Sequence, residues 1–398
     1  PANKSEIMHS LAPVSLSLSN AASSSRALIG TTTPRRRAHV SVKAANESPS
    51  SSSSSVAARS DSISGLVTSQ SRRLGESDVF VAPIGIGAWS WGDQLYWGDG
   101  WSGENEAKAR GAFQTYADLC GEDAWIDTAE VYGGFAGGES EKILGRFMRD
   151  SMSVNEQTGK PVSRPKVATK FAALPWRLTK DSVVDACRAS LSRCKTESCE
   201  LYQLHWPGLW SNDEYLSGLE EVVKQGLAQS VGVSNYAEKR LVKAHRQLKD
   251  MGIPLASNQI HYNLLYRLPE NNGVLEKCKE LGITVVAYSP MAQGILTGKY
   301  DENNLPRGAR SRIYNEDFMR KARPLIDLMK EIGDNHGGKT CTQVSLNWLL
   351  CNPDVTVIPG AKTKDQVEDI MGSIGWQLDE GEVTELRKVA QRVPPVQG

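Results

Sequence analysis

Four side chains in this sequence can together move a proton. Asp127 and Tyr132 stand in AWIDTAEVYGG (124–134), where a short apolar run gives way to turn residues. Lys170 lies at the end of KVATKF (166–171) and His205 at the end of LYQLHW (201–206). A tyrosine with an ordinary pKa near 10 is a reluctant acid at neutral pH. A lysine ammonium beside it favours the phenolate, so Lys170 is expected to lower the pKa of Tyr132. A buried lysine needs a counter-charge, and Asp127 is the candidate. Tyr132 can then give a proton to a developing alkoxide while His205 donates a hydrogen bond that orients and polarises a carbonyl. No side chain supplies a hydride, so such a reaction requires a cofactor. Taken singly, each residue has a plain structural alternative: a lone histidine is usually a satisfied core residue, and a strand-end lysine is usually solvated. The catalytic reading depends on one scaffold bringing all four together.

The pattern of the chain supplies that scaffold. From about residue 79, eight apolar, strand-like runs recur at 81–89, 124–130, 166–171, 201–206, 230–235, 257–262, 284–290 and 355–361. Between them lie helical patterns such as 105–119, 182–194, 216–226 and 237–252. Strands alternating with helices predict βαβ units and a parallel sheet, and eight of them predict a closed (β/α)8 TIM barrel. Gly226, Gly252 and Gly282 follow helical patterns where a left-handed C-terminal cap is expected. An open dinucleotide-binding sheet is the competitor. The first run reads Gly85-Ile86-Gly87-Ala88-Trp89-Ser90, without the third glycine or the helix start that fold uses. In a barrel, functional side chains gather at the C-terminal ends of the strands. Asp127 with Tyr132, Lys170 and His205 fall at three neighbouring ends. The long segment 291–354, with a Gly/Pro/Arg-rich stretch at 298–312, predicts a functional loop over the barrel mouth.

Composition narrows the rest. The 398 residues are 39% apolar and 23% charged, as in soluble globular proteins. No apolar run reaches the roughly 20 residues of a membrane-spanning helix. Seven cysteines without a Cys-x-x-Cys pair point to free thiols, neither a disulfide framework nor a metal site. Residues 1–60 differ in kind: 17 serines, seven basic residues and only Glu6 and Glu47 as acids. That is the composition of an organellar transit peptide, expected to be disordered, with cleavage near Val42–Ala45. The formal net charge of zero conceals a body with 39 basic and 44 acidic residues beyond position 60. A mildly acidic body with no basic stripe argues against a nucleic-acid partner. The expected organisation is a transit segment over 1–60, a linker over 61–78, the barrel over 79–392 and a tail over 393–398.

Seven segments in order carry a family resemblance: IDTAEVYGG, GESEKILG (138–145), VATKF, LYQLHWPG, SVGVSNY, AYSPMAQGILTGKY (287–300) and VIPGAKTKDQVEDI (357–370). They resemble the signature segments of the aldo/keto reductases over residues 79–391. WSWGDQLYWGDGW (89–101), KFAALPWRLT (170–179) and LHWPGLW (204–210) are most similar to the plant chloroplast members, with pyridoxal reductase a more distant relative. The resemblance implies an NADPH-dependent carbonyl reductase in the chloroplast stroma, with plastoglobule association left open. It puts the family's tyrosine, lysine, aspartate and histidine on Tyr132, Lys170, Asp127 and His205. It assigns the nicotinamide carboxamide to Ser234, Asn235 and Gln259, and stacking on the nicotinamide ring to Tyr288. Ser289, Pro290, Met291, Gln293 and Gly294 match the pyrophosphate loop, with Lys299 and Arg310 as covering cations. Gly360, Ala361, Lys362, Thr363 and Gln366 fall at the adenosine 2′-phosphate. Many members carry arginine where this chain has Gln366, which leaves Lys362 as the main charge there and narrows the expected margin of NADPH over NADH.

Tryptophans crowd the same loops. Trp89, Trp91, Trp97 and Trp101 follow the first strand, Trp176 the third, and Trp206 and Trp210 the fourth, seven of the chain's ten. Trp89, Trp91, Trp176 and Trp206 are the expected pocket walls, which would favour flat, apolar or aromatic small-molecule carbonyl compounds. Two other readings stay open. One is reduction of pyridoxal specifically. The other is a non-catalytic, NADPH-binding redox-sensing subunit, like the family's potassium-channel β-subunits. Those relatives commonly lack the histidine, so His205 favours the enzyme.

Overall fold

A computed structural model describes residues 65, 67 and 70–394, apart from 95, 99, 135–136, 151–163 and 211. The transit segment over 1–60, its cleavage site and the end of the tail over 395–398 lie outside the described residues.

Ten strands are present among the described residues. β1 (Arg72–Arg73) and β2 (Phe80–Val81) form an antiparallel hairpin. The other eight form one parallel sheet: β3 (Ile86–Gly87), β4 (Trp125–Asp127), β5 (Lys166–Phe171), β6 (Cys199–Leu204), β7 (Ala228–Ser234), β8 (Leu255–His261), β9 (Thr284–Tyr288) and β10 (Val355–Ile358), in sequential order. Parallel bridges Ile84↔Val357 and Gly87↔Gly360 join the last strand to the first, which closes the sheet. Each of the eight expected runs therefore contributes one stave of a TIM barrel. β4, β8 and β10 are buried throughout, as expected for strands covered on both faces.

Helices follow the strands: α1 (Gly103–Cys120), α2 (Glu139–Asp150), α3 (Lys180–Cys194), α4 (Asp213–Lys224) and α5 (Glu238–Asp250). Then come α6 (Leu268–Asn271), α7 (Val274–Glu280), α8 (Glu316–Asn335), α9 (Cys341–Leu350), α10 (Lys364–Met371) and α11 (Glu380–Ala390). Their starts carry side-chain caps that satisfy otherwise unpaired N–H groups. Ser102, Thr179 and Thr363 each accept from the backbone three residues on, and Thr340 and Asp379 form reciprocal capping boxes. Gly226, Gly252 and Gly282 all have positive φ, as their cap positions require.

Residues 70–78, expected as linker, are instead part of the fold. Leu74 is buried, and the Arg72 guanidinium donates to the carbonyls of Leu350, Asn352, Pro353 and Val355. Gly75 N donates to Thr284 Oγ1 at 2.8 Å. These partners sit where β9 and β10 begin, so the hairpin plugs the N-terminal end of the barrel and leaves the other end for the site. A linker reading failed here because two arginines and one turn with Glu76 and Asp78 look solvated until the carbonyls that the arginines serve are known.

Candidate active site

Asp127 ends β4 and Lys170 is the penultimate residue of β5, and their side chains meet inside the barrel. The Lys170 ammonium lies 2.5 Å from Asp127 Oδ1, with side-chain exposures of 0% and 2%. It also donates to the Thr128 carbonyl at 2.8 Å and to the Tyr132 hydroxyl at 3.3 Å. The second carboxylate oxygen, Asp127 Oδ2, accepts from Gln259 Nε2 at 2.8 Å and Gln203 Nε2 at 3.3 Å. β4, β5, β6 and β8 thus each send one polar side chain inward to a single network. Gly232 makes the room: a Cβ there would stand 2.3 Å from Ser257 Oγ and 3.1 Å from Gln203 Cγ.

His205 follows β6, its backbone N–H bound to the Phe171 carbonyl at 2.9 Å. Its ring meets Tyr132 edge-on, with centroids 5.4 Å apart at 81°. Asp127, Tyr132, Lys170 and His205 are therefore brought together. Gln203 is the member that sequence reading missed. Its signal was a glutamine between Tyr202 and Leu204 of β6, two residues before His205 and so on the same face.

Burial sets the charges. It pushes the Tyr132 hydroxyl well above the usual tyrosine value, and the Asp127 carboxylate adds to the rise. The expectation that Lys170 lowers this pKa is not met. Asp127 neutralises the ammonium at contact, so the phenol faces an ion pair rather than a free cation, and loss of water dominates. Burial also lowers Lys170 against the opposing pull of Asp127. For His205, burial and then the charge of Lys170 hold the imidazole well below the usual histidine value. The result is a protonated phenol beside a neutral imidazole, a pair able to offer two hydrogen bonds or one proton to an oxygen between them. His205 Nδ1 is buried and without a protein partner.

The residues assigned to a nucleotide line the neighbouring strand ends. Ser234 Oγ donates to the Gln259 carbonyl at 2.9 Å, and Asn235 Nδ2 to Ser234 Oγ at 3.2 Å. Tyr288 Oη donates to Asn235 Oδ1 at 3.1 Å. The Tyr288 ring is one face of a stack that sequence reading also missed. His261 lies 5.2 Å from it at 9° and 4.2 Å from Tyr266 at 14°. After β9 the backbone turns left-handed at Ser289, Ala292, Gln293 and Gly294, flanking Pro290 and Met291. Successive turns of this kind present N–H groups in concave arrays that suit anions. A Cβ on Gly294 would lie 3.9 Å from Lys299 Cε and 4.0 Å from Arg310 Nη1, so both cations converge on this loop. Tyr300 registers their field: burial would raise its pKa, but Lys299 and Arg310 outweigh burial and lower it.

Beyond β10, Gly360, Ala361, Lys362 and Thr363 lead into the capped start of α10. Gln366 is engaged locally, its Oε1 accepting from Lys362 N at 2.7 Å. Trp97 ties these parts together, its ring 4.8 Å from the Arg310 guanidinium and 5.4 Å from the Lys362 ammonium. Tyr96 Oη donates to Gln293 Oε1 at 2.9 Å. The loop after β3 thus crosses to the loop after β9, a contact the separate sequence segments did not reveal.

The expected pocket walls divide. Trp89 is half-buried, 6.3 Å from Tyr132, and Trp206 lies 4.7 Å from His205. Trp91 is no wall. It is fully buried, its Nε1 bonded to the Ala361 carbonyl at 2.9 Å, and it packs on Phe147. Its volume fills the space behind the β3 loop. Trp176 is 76% exposed and stands outside the half-buried aromatic group.

Comparison with known proteins agrees with this geometry. The sequence pattern of the aldo/keto reductase family matches residues 83–391. The chloroplastic pyridoxal reductase of Arabidopsis thaliana is 38% identical over 327 residues, 79% of this chain and 84% of that protein. A thermostable aldo-keto reductase crystallised with the inhibitor epalrestat superimposes with a TM-score of 0.61 at 28% identity, over 80% of this chain and 99% of that one. An aldo/keto reductase from Klebsiella pneumoniae, in complex with NADP and acetate, gives a TM-score of 0.59 at 25% identity, over 83% and 97%. A closed eight-stranded barrel with a lysine–aspartate pair, a tyrosine and a histidine at one mouth, carrying that pattern along most of its length, makes this chain a member of the aldo/keto reductase family of oxidoreductases.

Proposed function

We propose that the protein is an NADPH-dependent reductase of small-molecule aldehydes and ketones in the chloroplast. The observation that carries this reading is the Tyr132 hydroxyl, 3.3 Å from a Lys170 ammonium locked on Asp127 and beside the neutral ring of His205. Tyr132 is the general acid. A substrate oxygen between Tyr132 and His205 takes hydrogen bonds from both, and the proton passes from Tyr132 Oη as negative charge develops on that oxygen. Lys170 then faces a nascent phenolate, which its ammonium stabilises. Asp127 keeps the ammonium in place, and Gln203 and Gln259 keep Asp127.

The nucleotide fits the residues that converge on the left-handed loop. Ser289 to Gly294, with Lys299 and Arg310, suit a pyrophosphate, and Lys362 and Thr363 at the start of α10 suit a 2′-phosphate. Asn235 and Tyr288 would border the nicotinamide. When bound, the reduced nicotinamide supplies the hydride. Chloroplast delivery is supported by the Ser-rich, Arg-bearing first sixty residues and by the likeness to a chloroplastic relative. That relative makes pyridoxal one substrate to include in any panel.

The test is oxidation of NADPH with aldehydes, ketones and pyridoxal, comparing wild type with Tyr132→Phe. Loss of the phenol should cut turnover by about 10²–10⁴ and leave nucleotide affinity within a few-fold. Equal turnover in both proteins would defeat the assignment. Tight nucleotide binding without turnover of any carbonyl compound would favour the redox-sensing subunit instead.

A further inference from the structure

The strands β8 and β9 end side by side, and their last residues, His261 and Tyr288, are paired in register. Register partners on adjacent strands point to the same side of a sheet, and here the two rings meet, with planes 9° apart and centroids at 5.2 Å. The chain then doubles back. Asn263 and Tyr266 exchange backbone hydrogen bonds at 3.2 and 3.1 Å, and this turn lays the Tyr266 ring against His261 at 4.2 Å and 14°. Both faces of the imidazole are thereby taken, whereas Tyr288 is only half-buried. The proton-transfer step makes no use of this buried histidine.

The edges of the stack are fixed as well. Asn263 Oδ1 accepts from Leu265 N and Tyr266 N, each at 2.9 Å, so the orientation of its amide is set. Its Nδ2 donates to the Ser289 carbonyl at 2.9 Å and faces His261 Nε2 at 3.1 Å. With an N–H directed at it, His261 Nε2 must accept, which puts the proton of the neutral ring on Nδ1. Burial holds this imidazole at about 4, so the stack stays uncharged at neutral pH. Histidine thus supplies two flat faces to the tyrosines and one edge acceptor to Asn263. At the far end, Tyr288 Oη is bonded to Asn235 Oδ1 at 3.1 Å. Ser289, whose carbonyl Asn263 binds, has φ 49° and opens the left-handed loop that suits an anion.

A side chain that is ordered only when its ligand arrives costs affinity, and one held in place beforehand does not. We propose that His261 is a positioning residue for the nucleotide: stacked between Tyr266 and Tyr288 and fixed by Asn263, it holds the Tyr288 ring at the depth and tilt that the nicotinamide needs. The inference rests on the reading of this protein as an NADPH-dependent reductase, with Tyr288 beside the nicotinamide. His261 touches no reacting atom and acts through Tyr288 alone, so it should matter for the nicotinamide half of the nucleotide and not for the phosphate half.

Calorimetry on the full chain compares NADPH with 2′-phospho-ADP-ribose, which keeps the rest of the nucleotide but lacks the nicotinamide, in wild type, His261→Leu and His261→Phe. Leucine keeps apolar volume and removes the flat ring, and phenylalanine restores the ring. His261→Leu should weaken NADPH binding by about 3–10-fold, the worth of an aromatic pair. It should bind the truncated nucleotide as wild type does, which also reports an intact fold. His261→Phe should return NADPH affinity to within about 2-fold of wild type. Equal weakening of both nucleotides in His261→Leu would make the residue structural and overturn the inference. So would unchanged NADPH affinity in that variant, or a His261→Phe protein as weak as His261→Leu. A wild type that binds both nucleotides equally would overturn the inference and leave the reductase reading standing, and a wild type that binds neither would overturn both.

Discussion

Replacing Asp127 with Asn tests the network at its centre. The substitution keeps an oxygen for Gln259 and Gln203 to bind, and it removes the charge that faces the Lys170 ammonium at 2.5 Å. Lys170 is fully buried, so water cannot replace the lost carboxylate, and the Thr128 carbonyl and Tyr132 hydroxyl are neutral acceptors. Breaking a buried pair from one side costs about 3–5 kcal/mol, because an uncompensated charge remains. Asp127→Asn should therefore lose about that much in urea unfolding at neutral pH. Removing the stranded charge should return most of it, so the Asp127→Asn/Lys170→Met double variant is expected within about 1–2 kcal/mol of wild type. The pH dependence has a definite sign. In the single variant, Lys170 titrates in the fold below its value near 10.4 in the unfolded chain. Between those values the unfolded chain binds more protons, so stability rises with pH by up to about 1.4 kcal/mol per unit. The deficit should thus shrink from pH 7 to pH 9. A single variant within about 1 kcal/mol of wild type, or a double variant no better than the single, would refute the claim that this pair is dry and mutually dependent.

Three further outcomes are expected. Trp97→Ala removes the ring between Arg310 and Lys362, and cation–π contacts worth about 0.5–2 kcal/mol translate into NADPH binding weaker by about 2–30-fold. Calorimetry should show a smaller loss for NADH, and equal losses would argue against Lys362 as the 2′-phosphate cation. His261 is held at about 4 by burial, whereas it titrates near 6.5 when unfolded. The unfolded chain takes up a proton that the fold refuses, so this residue costs stability as pH falls below 6.5, by about 2 kcal/mol at pH 5. His261→Phe keeps a ring between Tyr266 and Tyr288 and should lose about 2 kcal/mol less than wild type between pH 7 and pH 5 in urea titrations; identical losses would refute this. Because Tyr132 is raised and His205 lowered, kcat/KM for reduction should stay level from pH 6 to pH 9, and a step near pH 6.5 would show that His205 titrates in the accessible range.

The barrel was legible because parallel strands buried on both faces write themselves as apolar runs, and eight such runs at βαβ spacing leave few folds. The meeting of Asp127, Tyr132, Lys170 and His205 was legible for a related reason: a barrel collects the C-terminal ends of its strands, so position along each run predicts proximity. What the sequence hides is what crosses the barrel. Gln203 reaches Asp127 from two strands away, and Trp97 meets Arg310 and Lys362 from distant segments. Trp91 looked like its neighbour Trp89, yet one is buried under the β3 loop and the other faces Tyr132. Within a turn, alternation no longer says which side chain points in. The hairpin at 72–81 was missed because one of its two arginines, Arg72, serves a backbone carbonyl 280 residues later.

The direction of the Tyr132 shift changes what the lysine does. A free ammonium beside a phenol would make it more acidic in the resting protein and leave part of it ionised, so part of the enzyme would lack its proton. Paired with Asp127 in a dry site, Lys170 does not do that: burial keeps the phenol protonated. With Tyr132 as the proposed general acid, charge would appear on it only as its proton leaves, and at that moment an ammonium 3.3 Å away would gain an anion to bind. In that proposed step the stabilisation would be larger after proton transfer begins than before it, which is the condition for lowering a barrier rather than a ground state. On this reading Lys170→Met should depress kcat far more than it raises KM. A variant that raised KM alone would place Lys170 in substrate binding and remove it from the proton-transfer step.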